Sequence, residues 1–295
     1  MNNPTIDNFR TRHEQLLHEL LDNAEIPAAR IKKAMLYALF PGGKRLRPVL
    51  VYLCGNLIGL DERSMDIIAI AIELTHCYSL IHDDLPAMDD DDYRRGKPSC
   101  HRAFDEATAI LVGDGMQALA VDILLSHLPK TLSAHQIIAV THELVQACGP
   151  QGMVSGQSLD LSELTNPSIS EQQLSEIHRL KTGKLIMACV NMVLAAGTPS
   201  LAAAQALRLF ANHLGLVFQM QDDYLDQYGA EEVLGKGRAS DAANQKITFA
   251  TLYSKSELLT LITQHFQHAQ LALATFGDNA KDLQALLDYL QHRIQ

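Results

Sequence analysis

The chain has 295 residues, 47% hydrophobic and 20% charged, with a formal net charge of −10. This is an ordinary globular composition with ample material for a core, and its acidic balance argues against nucleic acid as a partner, because affinity there rests on basic surface. No Gly/Ser/Pro-rich linker or low-complexity tract divides the chain, so a single domain over residues 1–295 is expected.

The N-terminal "MNNPTIDNFRTRHEQ" is polar and has no signal-peptide h-region. No stretch reaches the roughly 18 uncharged apolar residues of a membrane span, so no stable membrane insertion and a cytoplasmic location are expected. Helical periodicity then dominates. "HEQLLHELLDNA" spaces apolar residues three and four apart, and "RPVLVYLCGNLIGL" follows, with Pro48 at a helix start. Segments 65–81, 107–128, 135–147, 171–196, 201–226 and 254–276 are rich in Ala and Leu, both strong helix formers. Alternating Val/Ile/Thr runs are nearly absent, and Pro27, Pro41, Pro129, Pro150, Pro167 and Pro199 fall between periodic segments. The reading is an all-α protein of ten or more helices, with any site built between facing helices. Cys54, Cys77, Cys100, Cys148 and Cys189 are odd in number, scattered and free of C-x-x-C spacing, which suggests neither a disulfide framework nor a zinc site and predicts that most are buried small hydrophobes.

Two aspartate clusters end apolar runs. In "IHDDLPAMDDDDYRRG" (81–96), Asp83 and Asp89 are six apart, about 120° from facing alike on a continuous helix. Pro86 biases Leu85 away from helical geometry, so the helix is predicted to end near Leu85 and a short loop to return Asp89 toward Asp83. In "FQMQDDYLDQ" (218–227), Asp222 and Asp226 share one helix face and Asp223 is turned about 100° away. A solvated acidic loop is the ordinary reading of one such run. Two of them after apolar helices point to a cation between them, since carboxylates about 4 Å apart repel by about 4 kcal/mol at an effective dielectric of 20. All-oxygen ligation suits a hard ion. With no EF-hand loop and no Glu-x-x-His pair, the expectation is Mg²⁺, with a phosphate ligand behind it.

Basic residues supply the other side of such a phosphate. "FPGGKRLRP" (40–48) places Lys44, Arg45 and Arg47 after a Gly-Gly turn and before a helix start, where backbone N–H groups, helix dipole and cations all favour an anion. Arg94, Arg95, Lys181, Lys236 and Lys246 are further candidates. Each alone is ordinarily a solvated charge, and the combination within an acidic chain is what points to a ligand.

Together, "GGKRLRP", "SLIHDDLPAMDDDDYRRGKP", "GQSLDL", "KTGKL" and "FQMQDDYLD…LGK", in order over about 40–249, resemble the trans-prenyltransferases (isoprenyl diphosphate synthases), most closely the bacterial farnesyl diphosphate synthases. The resemblance implies a helical bundle around a central cavity, a homodimer, and head-to-tail condensation of isopentenyl diphosphate with an allylic diphosphate. It further implies Mg²⁺ held by Asp83 and Asp89 with Asp84 beside them, and by Asp222 with Asp223 and Asp226 in support. Lys44, Arg47, His76 and Arg95 would grip isopentenyl diphosphate, and Arg94, Lys181, Lys236 and Lys246 the allylic diphosphate. Thr182 and Gln219 would turn oxygen dipoles toward the carbocation. A lone His on an apolar helix is usually a core residue, and only the motif singles out His76. The chain departs from the family at Ala250, where proline is common, at Tyr224, where a small aliphatic is usual, and in the loop "RASDAANQ".

An aromatic residue five before Asp83, with the two-residue insertion seen in "LPAM", goes with a farnesyl product in this family. Tyr78 is therefore the expected floor of the prenyl pocket, with Ser79 one turn before Asp83 on its face. Geranyl (C10) or geranylgeranyl (C20) diphosphate synthases are the alternatives of like chemistry. A non-catalytic partner subunit is disfavoured because both clusters and the basic residues are present. A terpene cyclase is disfavoured because it has no use for a second diphosphate site.

Overall fold

The computed structural model describes residues 3–166, 168–229 and 246–292, and the regular structure within them is helical almost throughout. In chain order the helices are α1 (Pro4–Asn23), α2 (Ala29–Leu39), α3 (Leu46–Ile58), α4 (Glu62–Asp83), α5 (Cys100–Ala103), α6 (Glu106–His127), α7 (Ala134–Cys148), α8 (Met153–Glu163), α9 (Glu171–His178), α10 (Lys184–Ala196), α11 (Leu201–Tyr228), α12 (Phe249–Leu252), α13 (Lys255–Leu273) and α14 (Lys281–Gln291). The all-α expectation holds. Many of the starts are fixed by short polar side chains that accept from the first orphan N–H groups: Asn3, Asp61, Asp105 and Ser200 do so for α1, α4, α6 and α11. Ser133, Ser170 and Ser254 form full capping boxes.

Helix α4 runs through the core. It packs against α6, α3 and α10, and Ile68, Ala69, Ala71, Ile72 and Leu74 are fully covered. Each such Ile or Leu contributes about 1.5–3 kcal/mol by leaving water. Around it, α10 packs on α7 and α11 on α13. All five cysteines are buried and free. The first helix is tied in by charge as well as packing: Arg12 makes a two-pronged contact with Asp66 of α4, both N···O distances 2.7 Å, and Asp66 also accepts from the Tyr52 hydroxyl at 2.9 Å.

Three expectations are corrected. The segment 171–196 is not one helix, because a five-residue π-helical turn, Arg179–Gly183, separates α9 from α10. Neighbouring backbone explains its fit: a Cβ on Gly156 would lie 2.2 Å from Lys181 N, and one on Gly215 3.0 Å from the Gly183 Cα, so two glycines clear the space for the widened turn. Second, residues after the first aspartate cluster form a small antiparallel hairpin, β1 (Tyr93–Arg94) with β2 (Lys97–Pro98). Its two turn residues, Arg95 and Gly96, have φ of 54° and 76°, the left-handed pair that a two-residue hairpin requires. Third, α4, α6 with the turn that follows it (Glu106–Lys130), and α11 are long and apolar enough by length and composition to cross a membrane. Their apolar windows of 18 residues hold no more than two charges each, which the stricter uncharged count excluded, and in α4 83% of that window is buried inside the fold.

Candidate active site

The first aspartate cluster forms as its spacing predicts. Helix α4 ends at Asp83, and the following loop closes on itself, with Asp89 N–H donating to the Asp83 carbonyl at 2.9 Å and Asp90 N–H to that of Leu85 at 3.2 Å. Asp84 caps the helix and is buried, its carboxylate held by Arg94, whose Nε lies 2.9 and 3.1 Å from the two oxygens. Arg94 also reaches Asp91 at 2.9 Å. Asp83 accepts no side-chain hydrogen bond from the described residues. Burial, with Asp89 and Asp160 nearby and only partly offset by Lys181 and Arg94, pushes its carboxyl up to about 6.

Asp160, in the "GQSLDL" stretch of α8, sits at the centre of this chemistry. Lys181 from the π turn lies 2.9 Å from its Oδ2, and Lys246, which also reaches Asp89 at 3.0 Å, lies 2.8 Å from it. Burial alone would raise the Asp160 carboxyl, but the two ammonium groups hold it below its usual range. Local sequence gives Asp160 no role of its own within this motif. Gln157, three residues before it, has its amide buried with neither atom paired among the described residues.

The second cluster lies on α11. Asp222 is half-buried and Asp226 exposed, whereas Asp223, turned away as helix geometry requires, is buried. Asp223 accepts from Gln219 Nε2 and from the Phe249 backbone N–H, each at 2.9 Å, and so fixes the start of α12. Gln219 in turn accepts from the Thr182 hydroxyl at 3.2 Å. His178 packs between these segments, its ring 5.4 Å from that of Phe249, and burial pushes it down to about 4.

A cavity of about 600 Å³ opens beside the clusters, lined by Lys44, Arg47, His76, Arg94 and Arg95, with Phe218, Leu286 and Tyr289 on its apolar side. Arg47 Nη1 lies 3.2 Å from His76 Nε2. Burial and the guanidinium groups around it, Arg47 foremost, hold His76 well below its usual range, so it accepts from Arg47 as a neutral ring. Buried nitrogens Arg47 Nε and Arg95 Nη1 have no hydrogen-bond partner among the described residues. Buried donors left unpaired are costly, and this pair borders a space that an anion would fill.

The remaining basic residue of "GGKRLRP" has another task. Arg45 is fully buried, in a left-handed conformation (φ 52°), and bonds Glu73, the Leu39 carbonyl at 2.7 Å and Glu14 at 2.6 Å. A Cβ on Gly42 would fall 2.3 Å from its guanidinium, so the first glycine is there for close approach. Tyr78 is buried with its ring 5.9 Å from that of His82, and Ser79 donates to the His76 carbonyl at 2.9 Å. Lys236 and the loop "RASDAANQ" lie outside the described residues. Ala250, at the start of α12, is buried without disturbing the Phe249 contact.

The sequence matches the family model described as polyprenyl synthetase over residues 28–277. It is 40% identical to a farnesyl diphosphate synthase of Bacillus subtilis, over 89% of this chain and 88% of the relative, and 43% identical to one of Haemophilus influenzae, over 85% of each. The fold superposes on a crystal structure of a geranyltransferase from Legionella pneumophila with a TM-score of 0.91 at 57% identity, covering 98% of this chain and 96% of that one. A geranyltransferase of Helicobacter pylori solved with magnesium and isoprenyl diphosphate superposes at 0.81, with 29% identity over 99% and 98% of the two chains. The chain belongs to the polyprenyl synthetase family.

Proposed function

We propose that the chain, as one prenyltransferase domain over residues 1–295, is a farnesyl diphosphate synthase, joining isopentenyl diphosphate to dimethylallyl and then geranyl diphosphate. The observation that carries this reading is the pair of guanidinium nitrogens at the cavity, Arg47 Nε and Arg95 Nη1, that have no hydrogen-bond partner among the described residues, set beside a separate acidic and lysine-bearing cluster. One region is built for an anion alone and the other for an anion with a counter-cation.

The donor set fits Mg²⁺. Burial, with Asp89 and Asp160 nearby, makes the bare Asp83 carboxylate unfavourable, which a cation would relieve, and all candidate ligands are carboxylate oxygens, the preference of a hard cation. Among the described residues no three acidic, His or Cys side chains already converge on one point. Lys181, Lys246 and Arg94 neutralise most of the surrounding carboxylates instead. Asp83 and Asp89 would hold the ion at the first cluster and Asp222 at the second, with Asp84, Asp223 and Asp226 as supporting groups. When bound, Mg²⁺ neutralises charge on the diphosphate and makes it a better leaving group.

The protein's own groups then account for the rest. Lys181 and Lys246, with Arg94 and Lys236, grip the allylic diphosphate. As its C–O bond breaks, the electron pair leaves with the diphosphate, and these fixed cations stabilise the developing charge. Asp223 orients the Gln219 amide, and Gln219 Oε1 accepts a hydrogen bond from the Thr182 hydroxyl. The Thr182 oxygen lone pairs are thus left to face the allylic cation. Lys44, Arg47, His76 and Arg95 hold isopentenyl diphosphate so that its double bond supplies the pair for the new C–C bond. The proton then lost passes to the departed diphosphate. Tyr78 floors the prenyl pocket at C15.

The reading includes a cytoplasmic homodimer. Ile110, Leu111 and Leu125 on α6 and Ile138 and Val145 on α7 are exposed, an apolar face that a second copy would cover. Incubation of the purified protein with isopentenyl and dimethylallyl diphosphates and Mg²⁺, followed by sizing of the product, tests the proposal. A C15 alcohol after phosphatase treatment is expected. A C10 or C20 product would overturn the chain length, and no product the activity.

A further inference from the structure

The Tyr78 ring is held by packing rather than by a hydrogen bond between described residues. Its hydroxyl is buried without a hydrogen-bond partner among the described residues, although the Cys148 thiol of α7 is close enough, with burial, to hold the phenol above its ordinary range. Its orientation therefore rests on packing. The aromatic contact it makes is with His82, one turn further along α4, edge to face, with ring centroids 5.9 Å apart and planes at 70°.

His82 is itself held tightly. A Cβ on Gly113 of α6 would lie 2.0, 2.4 and 2.7 Å from three atoms of its imidazole, so the ring occupies a notch that exists only because residue 113 lacks a side chain. In that notch Nε2 lies 3.2 Å from the Ile110 carbonyl, which assigns the proton to Nε2, and 3.9 Å from Asp114. The sequence of contacts is Ile110 and Gly113 to His82, and His82 to Tyr78. Its far end is the residue read above as the floor of the prenyl pocket.

We infer that His82, seated in the Gly113 notch, is a positioning residue for Tyr78 and thereby a determinant of product length. It acts through the Tyr78 ring and touches no reacting atom. This rests on the reading of Tyr78 as the floor. Ring position matters because an aromatic floor blocks chain growth only while it lies across the path. A ring free to tilt admits a further isoprene unit part of the time.

The test compares product-length ratios, which are independent of the rate lost through disturbing the neighbour of Asp83. Tyr78→Ala is the control for the underlying reading. His82→Ala removes the buttress, and Gly113→Ala evicts the imidazole while leaving every α4 residue unchanged. Both are expected to raise the C20:C15 ratio, by roughly a few-fold to tenfold, the scale of one lost aromatic contact. If Tyr78→Ala leaves the product at C15, the floor reading fails and this inference with it. If Tyr78→Ala lengthens the product while His82→Ala and Gly113→Ala both still stop at C15, the floor stands and the positioning role of His82 is overturned.

Discussion

Lys246 Nζ lies 3.0 Å from Asp89 Oδ1, joining the first aspartate cluster to a residue 157 positions further along the chain. The same ammonium contacts Asp160, so one cation serves two carboxylates from different parts of the fold. Lys246→Gln should destabilise the metal-free protein by about 1–3 kcal/mol. That is less than the 3–5 typical of breaking a buried pair, because Asp160 keeps Lys181. Urea denaturation checks this, and an unchanged midpoint would mean the contact contributes nothing.

Asp83 gives a pH dependence with a definite sign. Its folded carboxyl titrates near 6 against an ordinary 3.8, so the fold favours the protonated form. The stability this group contributes is complete below about pH 3.8 and is lost as pH rises through 6. Two units correspond to about 3 kcal/mol. Asp83→Asn should therefore raise the thermal midpoint of the metal-free protein at pH 7, with the gain shrinking toward pH 4. The opposite trend would show that Asp83 is stabilised as an anion.

Arg47 and Lys181 stand in different surroundings, the first at the cavity against His76 and the second on Asp160. Arg47→Ala should weaken isopentenyl diphosphate more than the allylic substrate, and Lys181→Ala the reverse. Each should cost roughly ten- to a hundredfold, the worth of one charge-assisted contact. Steady-state KM values for both substrates decide it. Equal effects on both would mean the two diphosphates have been assigned to the wrong groups.

The Tyr78 hydroxyl, beside the Cys148 thiol and without a hydrogen-bond partner among the described residues, separates ring from oxygen. Tyr78→Phe should keep a C15 product and change stability by less than about 1 kcal/mol, since the hydroxyl's close polar neighbour is the weakly accepting Cys148 thiol. Tyr78→Ala should move product toward C20. A lengthened product from the Phe variant would assign the stop to the oxygen.

Much of this site could be read before any coordinates. Pro86 told where α4 must end, and the six-residue spacing then required the return of Asp89. The period of 3.6 separated Asp223 from Asp222. What could not be read was set by contacts between distant segments. Arg45 resembles its neighbours Lys44 and Arg47 in every local respect, and only the positions of Glu14 and Glu73 take it out of ligand binding. Asp160 is one acid among many until Lys181 and Lys246 arrive from elsewhere. The π turn at Arg179–Gly183 depends on glycines on two other helices, so no local propensity signals it.

Arg45 has one further consequence. Its guanidinium is shared between Glu73 of α4 and Glu14 of α1, while Asp66 depends on Arg12 of that same first helix. Helix α1 carries none of the residues assigned to either diphosphate. A chain trimmed to begin at Ala29 would nevertheless strip Arg45, the neighbour of Lys44 in sequence, of its Glu14 partner and leave Glu73 as its carboxylate. The amino-terminal helix is thus part of the substrate grip at one remove. Shortening the chain there should weaken isopentenyl diphosphate affinity, and reduce helix content by no more than α1 itself.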